Sequence, residues 1–388
     1  MGSFRVDEGV LEALIELVSP PPPAEDRGEF EDYVVLQGSA RPRYLLPAAM
    51  PRAATRALDR PGAARTAQAR LLELALPALA RLGASAPGGW HLRVRSGSDA
   101  APSLSRRIAL ELGLQRVHIA VAIGPPRPNR KPVLQVFDQL GTTVCFGKLG
   151  VDELTSRLVR HEATYLANRR FDAIAAPALI SLGDWKGLPL ALFRPLPLRQ
   201  GHRGDQLAAS ASEILGIAAA ETIEEADVLH SAWWCRISKE LTTVGGASPV
   251  ETALASVATR LEGERWRFGS WHGDFTPWNA QRIDETLYVW DWERADGPVP
   301  LGFDPVHSSF QVATLREGLA PAAAAERAAT VNPGLLHQLG ARPGSHRTLV
   351  DCYVLELCLR LLDAARTGGE RGLTPAVRQM LRAITTRR

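Results

Sequence analysis

Asp274, Asn279 and Asp291 have side-chain types and a spacing that could do chemistry. They lie in the runs Trp271-His272-Gly273-Asp274-Phe275-Thr276-Pro277-Trp278-Asn279 and Val289-Trp290-Asp291-Trp292-Glu293. A nucleoside triphosphate clusters negative charge that repels an incoming hydroxyl. One carboxylate must therefore orient that hydroxyl and take its proton, while oxygen ligands hold magnesium on the phosphates. Asp274 suits the first task, and Asn279 with Asp291 suits the second. A lone His-Gly-Asp would say little, since a buried His and Asp are often hydrogen-bond partners that fasten a loop. The whole set says more: the loop, a turn at Asp284-Glu285-Thr286, then an alternating strand from Leu287 to Trp290 that delivers Asp291 at its end.

The five-residue step from Asp274 to Asn279 matches the H-R-D-x-x-x-x-N loop of protein kinases. The run HGD-x-x-x-x-N with a later D-[FW]-E strand end resembles the signature of the aminoglycoside phosphotransferase and choline kinase group. Gly297-Pro298-Val299-Pro300-Leu301-Gly302-Phe303-Asp304 is similar to that group's G-x-P-x-x-D ending. The resemblance implies a two-lobed, protein-kinase-like α+β fold, with a small antiparallel-sheet N-lobe and a mostly helical C-lobe. It also implies that Asp274 is the catalytic aspartate, that Asn279 and Asp291 are magnesium ligands, and that ATP or GTP is the phosphoryl donor. His272 belongs to the catalytic loop as a residue that shapes it rather than one that reacts. Independently of any family, Asp304 followed by Pro305 predicts a helix start, with an N-cap carboxylate and proline at the first helical position.

Such a fold needs partners upstream. Lysine is scarce, with four among the 45 basic residues, so each one is a narrow candidate. Lys148 ends the β-rich run Thr143-Val144-Cys145-Phe146-Gly147-Lys148. That run follows Pro132-Val133-Leu134-Gln135-Val136-Phe137-Asp138 across a turn at residues 139–142, which predicts a hairpin with the lysine on its second strand. Glu162 lies in a segment with apolar residues at 158, 159, 163 and 166, a helical spacing. Together they match the strand lysine and helix glutamate of kinases, in which the lysine holds the phosphates and the glutamate fixes the lysine. Without the C-terminal motif, an exposed lysine and an unrelated glutamate would be the default; with it, the pair is preferred.

One expected element departs from the pattern. No G-x-G-x-x-G precedes the hairpin, and the turn between the strand His118 to Ile123 and the strand from Pro132 is Gly124-Pro125-Pro126-Arg127-Pro128-Asn129-Arg130-Lys131. It cannot lay bare backbone against phosphates, although Arg127, Arg130 or Lys131 could supply charge. A stiff, solvated hairpin tip is an equal reading. Farther on, Leu188 to Leu198 begins as a buried strand and turns proline-rich, where a hinge would offer backbone groups to a purine. Phe193 to Leu196 is the candidate adenine-contact segment, although an ordinary core strand and linker would look the same.

Composition bounds the rest. The 388 residues are 45% hydrophobic, enough for a large core, and length favours two or three domains; the resemblance implies that these are an N-terminal extension (1–100), a nucleotide-binding N-lobe with hinge (101–198) and a helical C-lobe (199–388). A net charge of +3 is too mild to imply a nucleic-acid partner, and no membrane span or export signal is visible. The N-terminal helix around Val10 to Val18 carries Glu12 and Glu16 and reads as an amphipathic docking helix. Cys145, Cys235, Cys352 and Cys358 lack metal spacing and read as reduced thiols of a cytoplasmic protein. Helices are also expected at Leu104 to Leu112, Ala63 to Leu82 with a bend near Pro77, Asp227 to Leu241, and from a capping box at Ser248-Pro249-Val250-Glu251 to Leu261.

The resemblance implies that the acceptor is a small hydroxylated molecule such as an antibiotic, a sugar or an amino alcohol, selected by residues 199–266 and the C-terminal helices. From Gln311 to Arg388 eleven arginines face six acids, which does not favour a polycation. Trp233, Trp234, Trp271, Trp278, Trp290 and Trp292 fit core packing better than stacking on a ligand, with Trp278 the best functional candidate. Resistance, self-protection and metabolism stay open, as does the oligomeric state. The rival class is a non-catalytic kinase-like module that binds nucleotide or a partner; a complete set of Lys148, Glu162, Asp274, Asn279 and Asp291 weighs against it.

Overall fold

The computed structural model describes residues 15–20, 30–37, 42–50, 90–97, 101–124, 129–199, 208–245, 247–331, 333–367 and 372–386. They fall into two compact units. The first draws on the described residues within 1–60, 66–167 and 177–201, the second on those within 168–176 and 202–388.

The first unit is built on one antiparallel sheet of eight strands: β1 (Phe30–Gln37), β2 (Pro42–Pro47), β3 (Trp90–Arg95), β4 (His118–Ile123), β5 (Pro132–Phe137), β6 (Thr143–Leu149), β7 (Leu179–Trp185) and β8 (Leu188–Phe193). Their order across the sheet is β3-β1-β2-β4-β5-β6-β8-β7. The hairpin expected around Lys148 is present, with Val133 opposite Lys148 in the β5–β6 register. Its turn is made by Asp138, whose carboxylate accepts the N–H groups of Leu140 and Thr142 at 2.9 and 2.8 Å, and by Gly141 at φ 80°. The strand-like runs near residues 33–36 and 44–46 are β1 and β2, and they join this same sheet.

Among the described residues, two helices serve the sheet. α1 (Leu104–Leu112) starts at Ser103, which caps the N–H of Arg106, and stops at left-handed Gly113. It buries Leu104, Ile108 and Ala109 in a core with Val35, Leu45, Ile119, Val136 and Leu192. α2 (Glu153–Ala167) is started by Asp152, which accepts the N–H of Thr155 at 2.7 Å; it turns Leu158, Val159, Glu162 and Ala163 inward. Of the expected N-terminal helix, residues 15–18 are helical with Leu17 and Val18 buried. Its earlier residues, the helix expected at 63–82 and Arg127 lie outside the described residues.

The second unit is mostly helical: α3 (Ala211–Ala218), α4 (Ala232–Gly245), α5 (Ala247–Leu261), α6 (Phe303–Leu315), α7 (Pro321–Ala329), α8 (Pro333–Gln338), α9 (His346–Thr367) and α10 (Pro375–Thr386). Five short strands accompany them. β9 (Glu224–Asp227), β10 (Arg265–Trp271) and β13 (Asp296–Pro300) form one sheet, and β11 (Ala280–Ile283) pairs with β12 (Thr286–Val289) in a hairpin. The apolar stripe of α9 is core, with Leu349, Val350, Tyr353, Val354, Cys358 and Leu362 buried. The α+β class with a sheet lobe and a helical lobe, expected from the kinase-like motifs, is the class this chain adopts.

Two helix starts differ from expectation. The helix placed at Asp227 begins at Ala232, because Asp227 ends β9 and its carboxylate takes the N–H of His230, folding residues 228–230 into a tight 3-10 turn. α5 begins at Ala247, so Ser248 lies inside the first turn instead of ahead of it. Three of the four cysteines are buried, Cys235 is exposed, and all four are free thiols.

Candidate active site

The loop from His272 to Asn279 links β10 to β11, and Asp291 follows β12, so a short hairpin sets the distance in chain between the two motifs. Glycine is required at position 273. Its φ is 78°, and a Cβ there would sit 2.1 Å from the carbonyl oxygen of Arg294.

Two buried groups pin the loop's backbone. Asp304 accepts the N–H of His272 through Oδ2 at 2.9 Å and the N–H of Gly273 through Oδ1 at 3.1 Å. Arg360 donates through Nη1 to the carbonyl of Gly273 at 2.8 Å and through Nη2 to that of Arg294 at 3.2 Å, with its guanidinium 4.1 Å from the Trp271 ring centre. The expectation for Asp304 is corrected here. α6 starts at Gly302 without a side-chain cap, because the carboxylate turns away from its own helix and into the loop. Burial pushes its pKa up to about 7, against the pull of the two N–H groups and of Arg360.

His272 is fully buried and has a structural task. Its Nδ1 accepts the N–H of Asp274 at 3.2 Å, so Nε2 carries the proton and donates to the carbonyl of Trp290 at 3.1 Å. Burial lowers its pKa to about 4, which keeps that neutral tautomer in place. The ring thereby ties the loop to the residue before Asp291. Trp290 reinforces the tie by donating its N–H to the carbonyl of Asn279 at 3.0 Å. Asp291 itself has a left-handed backbone, φ 69°, uncommon for a non-glycine residue.

Asp274 keeps a side-chain exposure of 34%, enough to be reached by another molecule, while both its oxygens are held. Asn279 donates from Nδ2 to Oδ2 at 2.9 Å and to the Asp274 carbonyl at 3.0 Å. With its amide hydrogens so directed, the Oδ1 of Asn279 is the atom it offers as a ligand. His307, on α6, meets Oδ1 of Asp274 through Nε2 at 3.0 Å, and the hydroxyl of Tyr353, on α9, meets Nδ1 of His307 at 2.9 Å.

In the first unit, Lys148 lies with its Nζ 2.7 and 2.6 Å from the two carboxylate oxygens of Glu162. The lysine side chain is 14% exposed and the glutamate 2%, so the expected strand and helix pair forms with little water around it. The Lys148 ammonium is 6.0 Å from the Phe193 ring centre. Phe193 is the buried last residue of β8. Past it, the Arg194 N–H goes to Ala178 O at 2.8 Å, and half-buried Leu196 accepts the N–H of Leu198 at 2.8 Å. Arg130 is half-buried just before β5, and Lys131 is buried.

The tryptophans divide as expected. Trp233, Trp271 and Trp292 are buried, the first two edge-on to Phe303 in the core behind the loop. Trp278 is half-buried, with the Arg316 guanidinium 5.1 Å from its ring centre. His307, Tyr353 and Arg360 were not singled out from the sequence. A spacing was there to find His307: it stands three positions after Asp304, one helical turn along the same face.

No protein-family model matches the chain, and no curated protein matches it. Among solved structures, it is similar to a thermostable mutant of aminoglycoside phosphotransferase APH(4)-Ia in its apo form, at 14% identity and a TM-score of 0.46, over 72% of this chain and 99% of that one. It is also similar to the amicoumacin kinase hAmiN in complex with AMP-PNP, Ca2+ and Ami, at 11% identity and a TM-score of 0.39, over 68% of this chain and 87% of that one. A third is aminoglycoside phosphotransferase APH(3'')-Id from Streptomyces rimosus in complex with ADP and streptomycin, at 13% identity and a TM-score of 0.36, over 60% and 91%.

Proposed function

We propose that this protein is a small-molecule kinase that transfers the γ-phosphoryl group of ATP or GTP to a hydroxyl of a small acceptor, with Asp274 as the base. The observation that carries this reading is the state of Asp274: a reachable carboxylate, gripped on both oxygens, in a loop whose backbone is fixed by Asp304 and Arg360. Preorganisation of that kind serves a group that must meet a hydroxyl in one orientation. The acceptor oxygen attacks the γ-phosphorus, the bond from that phosphorus to the β,γ-bridging oxygen breaks, nucleoside diphosphate leaves, and the acceptor's proton goes to Asp274.

Lys148, held by Glu162, would bind the phosphates, with Arg130 a second source of charge and the Phe193 to Leu196 segment a contact for the base. Asn279, through its amide oxygen, and Asp291, through a carboxylate, would hold magnesium, because both are hard oxygen donors of the kind this ion takes. When bound, the ion neutralises charge on the phosphates. His272 fastens the loop and does not react. The division into extension, nucleotide-binding lobe and helical lobe at about residues 100 and 198, and a cytoplasmic setting, belong to the same reading. Among the described residues, no helix is long and apolar enough to cross a membrane.

The test is a screen of hydroxylated antibiotics, sugars and amino alcohols for acceptor-dependent release of nucleoside diphosphate, with the phosphorylated product identified by mass. We expect at least one class to be phosphorylated by the native chain and not by Asp274→Asn. Equal turnover by the two would sink the assignment.

A further inference from the structure

His307 is 4% exposed and Tyr353 is fully buried, yet the pair reaches the one carboxylate of the loop that another molecule can approach. An ionised carboxylate only accepts hydrogen bonds, so the 3.0 Å contact requires a proton on Nε2 of His307. In the neutral ring, Nδ1 is then an acceptor, and among the described residues it is the Tyr353 hydroxyl that meets it, at 2.9 Å, and must donate. Burial pushes the Tyr353 phenol well above its ordinary range, so it stays a donor. The three groups make a directional chain: Tyr353 O–H to His307 Nδ1, His307 Nε2–H to Asp274 Oδ1.

We propose that His307 is a positioning residue for phosphoryl transfer, its tautomer set by Tyr353, and that it fixes the carboxylate plane of Asp274 for the incoming hydroxyl. The assignment rests on the kinase reading given above. α6 is suited to this task because one helical turn carries both Asp304 and His307. The first holds the N–H groups of the two residues before Asp274 and the second the carboxylate of Asp274, so the backbone leading into Asp274 and its side chain are located by the same rigid element. Asn279 alone would leave Oδ1 unrestrained. A carboxylate free to rotate about χ2 spends part of its time misaligned, and small misplacements of a reacting group cost up to about 100-fold in rate.

Two readouts test this. In steady-state kinetics with the acceptor found in the screen, His307→Ala should lower kcat by about 10- to 100-fold with KM for both substrates within about twofold. His307→Gln, which can still offer an N–H, should recover part of the loss, and Tyr353→Phe should lower kcat without a change in KM. The second readout needs no turnover: nitrogen-15 NMR of labelled histidines in the full chain, with His307 assigned by substitution. The native chain should show His307 protonated on Nε2, and Asp274→Asn should shift that N–H signal. A kcat within about twofold of native for both His307→Ala and Tyr353→Phe, or a native His307 protonated on Nδ1, overturns the proposal. If no acceptor is phosphorylated but the NMR signature holds, it is the kinase reading that fails and the Tyr353-His307-Asp274 chain that stands.

Discussion

Asp304 takes the backbone N–H of His272 at 2.9 Å, and the same carboxylate takes that of Gly273 at 3.1 Å. A single buried acid thus satisfies two consecutive donors of a loop that no strand or helix pairs. Replacing it should cost more than one hydrogen bond. Asp304→Asn keeps one acceptor but turns an amide N–H2 toward the second donor, and should destabilise the protein by about 1–3 kcal/mol. Urea unfolding with an unchanged slope and a lowered midpoint is the expected result; an unchanged midpoint would contradict it.

The two buried titrating groups of the loop pull stability in opposite directions with pH. His272 titrates near 4 in the folded chain against an ordinary 6.5, so its contribution is in place above pH 6.5 and is lost as pH falls through 4. Asp304 titrates near 7 against an ordinary 3.8, so its contribution is present below 3.8 and is lost as pH rises through 7. Between about pH 4 and 6.5 the two slopes offset each other. Removing the acid with Asp304→Asn should unmask His272, and stability should then rise with pH across that window by something on the order of 3 kcal/mol. Urea midpoints at several pH values check it, and a variant slope no steeper than the native one would be the wrong outcome.

Asp274→Asn retains the shape of the side chain but neither the charge nor the capacity to take a proton. Turnover should fall by roughly 100- to 10,000-fold while nucleotide affinity stays near native, measured by product formation and by calorimetric titration in parallel. A loss confined to KM would point to a binding role.

For the proposed metal ligands, the left-handed backbone of Asp291 dictates the choice of variant. Asn tolerates that conformation, so Asp291→Asn removes the charge with little backbone strain. It should weaken magnesium-dependent nucleotide binding far more than Glu293→Gln does. Titrations with and without magnesium decide; equal effects would mean that Asp291 is misassigned.

The Lys148 and Glu162 pair is dry enough for its partners to be unequal when separated. Lys148→Met leaves a buried carboxylate without its counter-ion, a situation that costs on the order of 3–5 kcal/mol. The double variant Lys148→Met, Glu162→Gln should be more stable than that single one. If thermal or urea unfolding gives additive losses instead, the two side chains are not energetically coupled.

The candidate site was legible in the sequence where its logic is local. Asp274 and Asn279 share one loop and are hydrogen-bonded, and one hairpin returns the chain so that Trp290, the residue before Asp291, bonds to Asn279. Lys148 and Glu162 were legible because a strand and the following helix put them together. His307 was not, since it reaches Asp274 across 33 residues and only the packing of α6 brings it there. Tyr353 and Arg360 come from α9, where an apolar stripe at helical spacing conceals polar heads turned inward. The Asp304-Pro305 start was misread for a related reason: a carboxylate at a helix N-terminus has two sets of N–H groups within reach, and sequence cannot say that the loop's pair wins over the helix's own.

The strand order of the large sheet has a practical consequence. β2 meets β4 through only Tyr44 opposite Ala122 and Leu45 opposite Val121, and on its far side β4 is paired to β5 along its length. Among the described residues, that narrow pairing is what covers this edge of β4. A shortened protein beginning after residue 100, an obvious choice for isolating the lobe proposed to bind nucleotide, would present this edge of β4 without β2, and the strand is rich in β-branched and aliphatic residues. Such edges recruit strands from other molecules. The trimmed version should therefore self-associate where the full chain does not by this route, and a lysine in place of half-buried Ala122 would be the remedy.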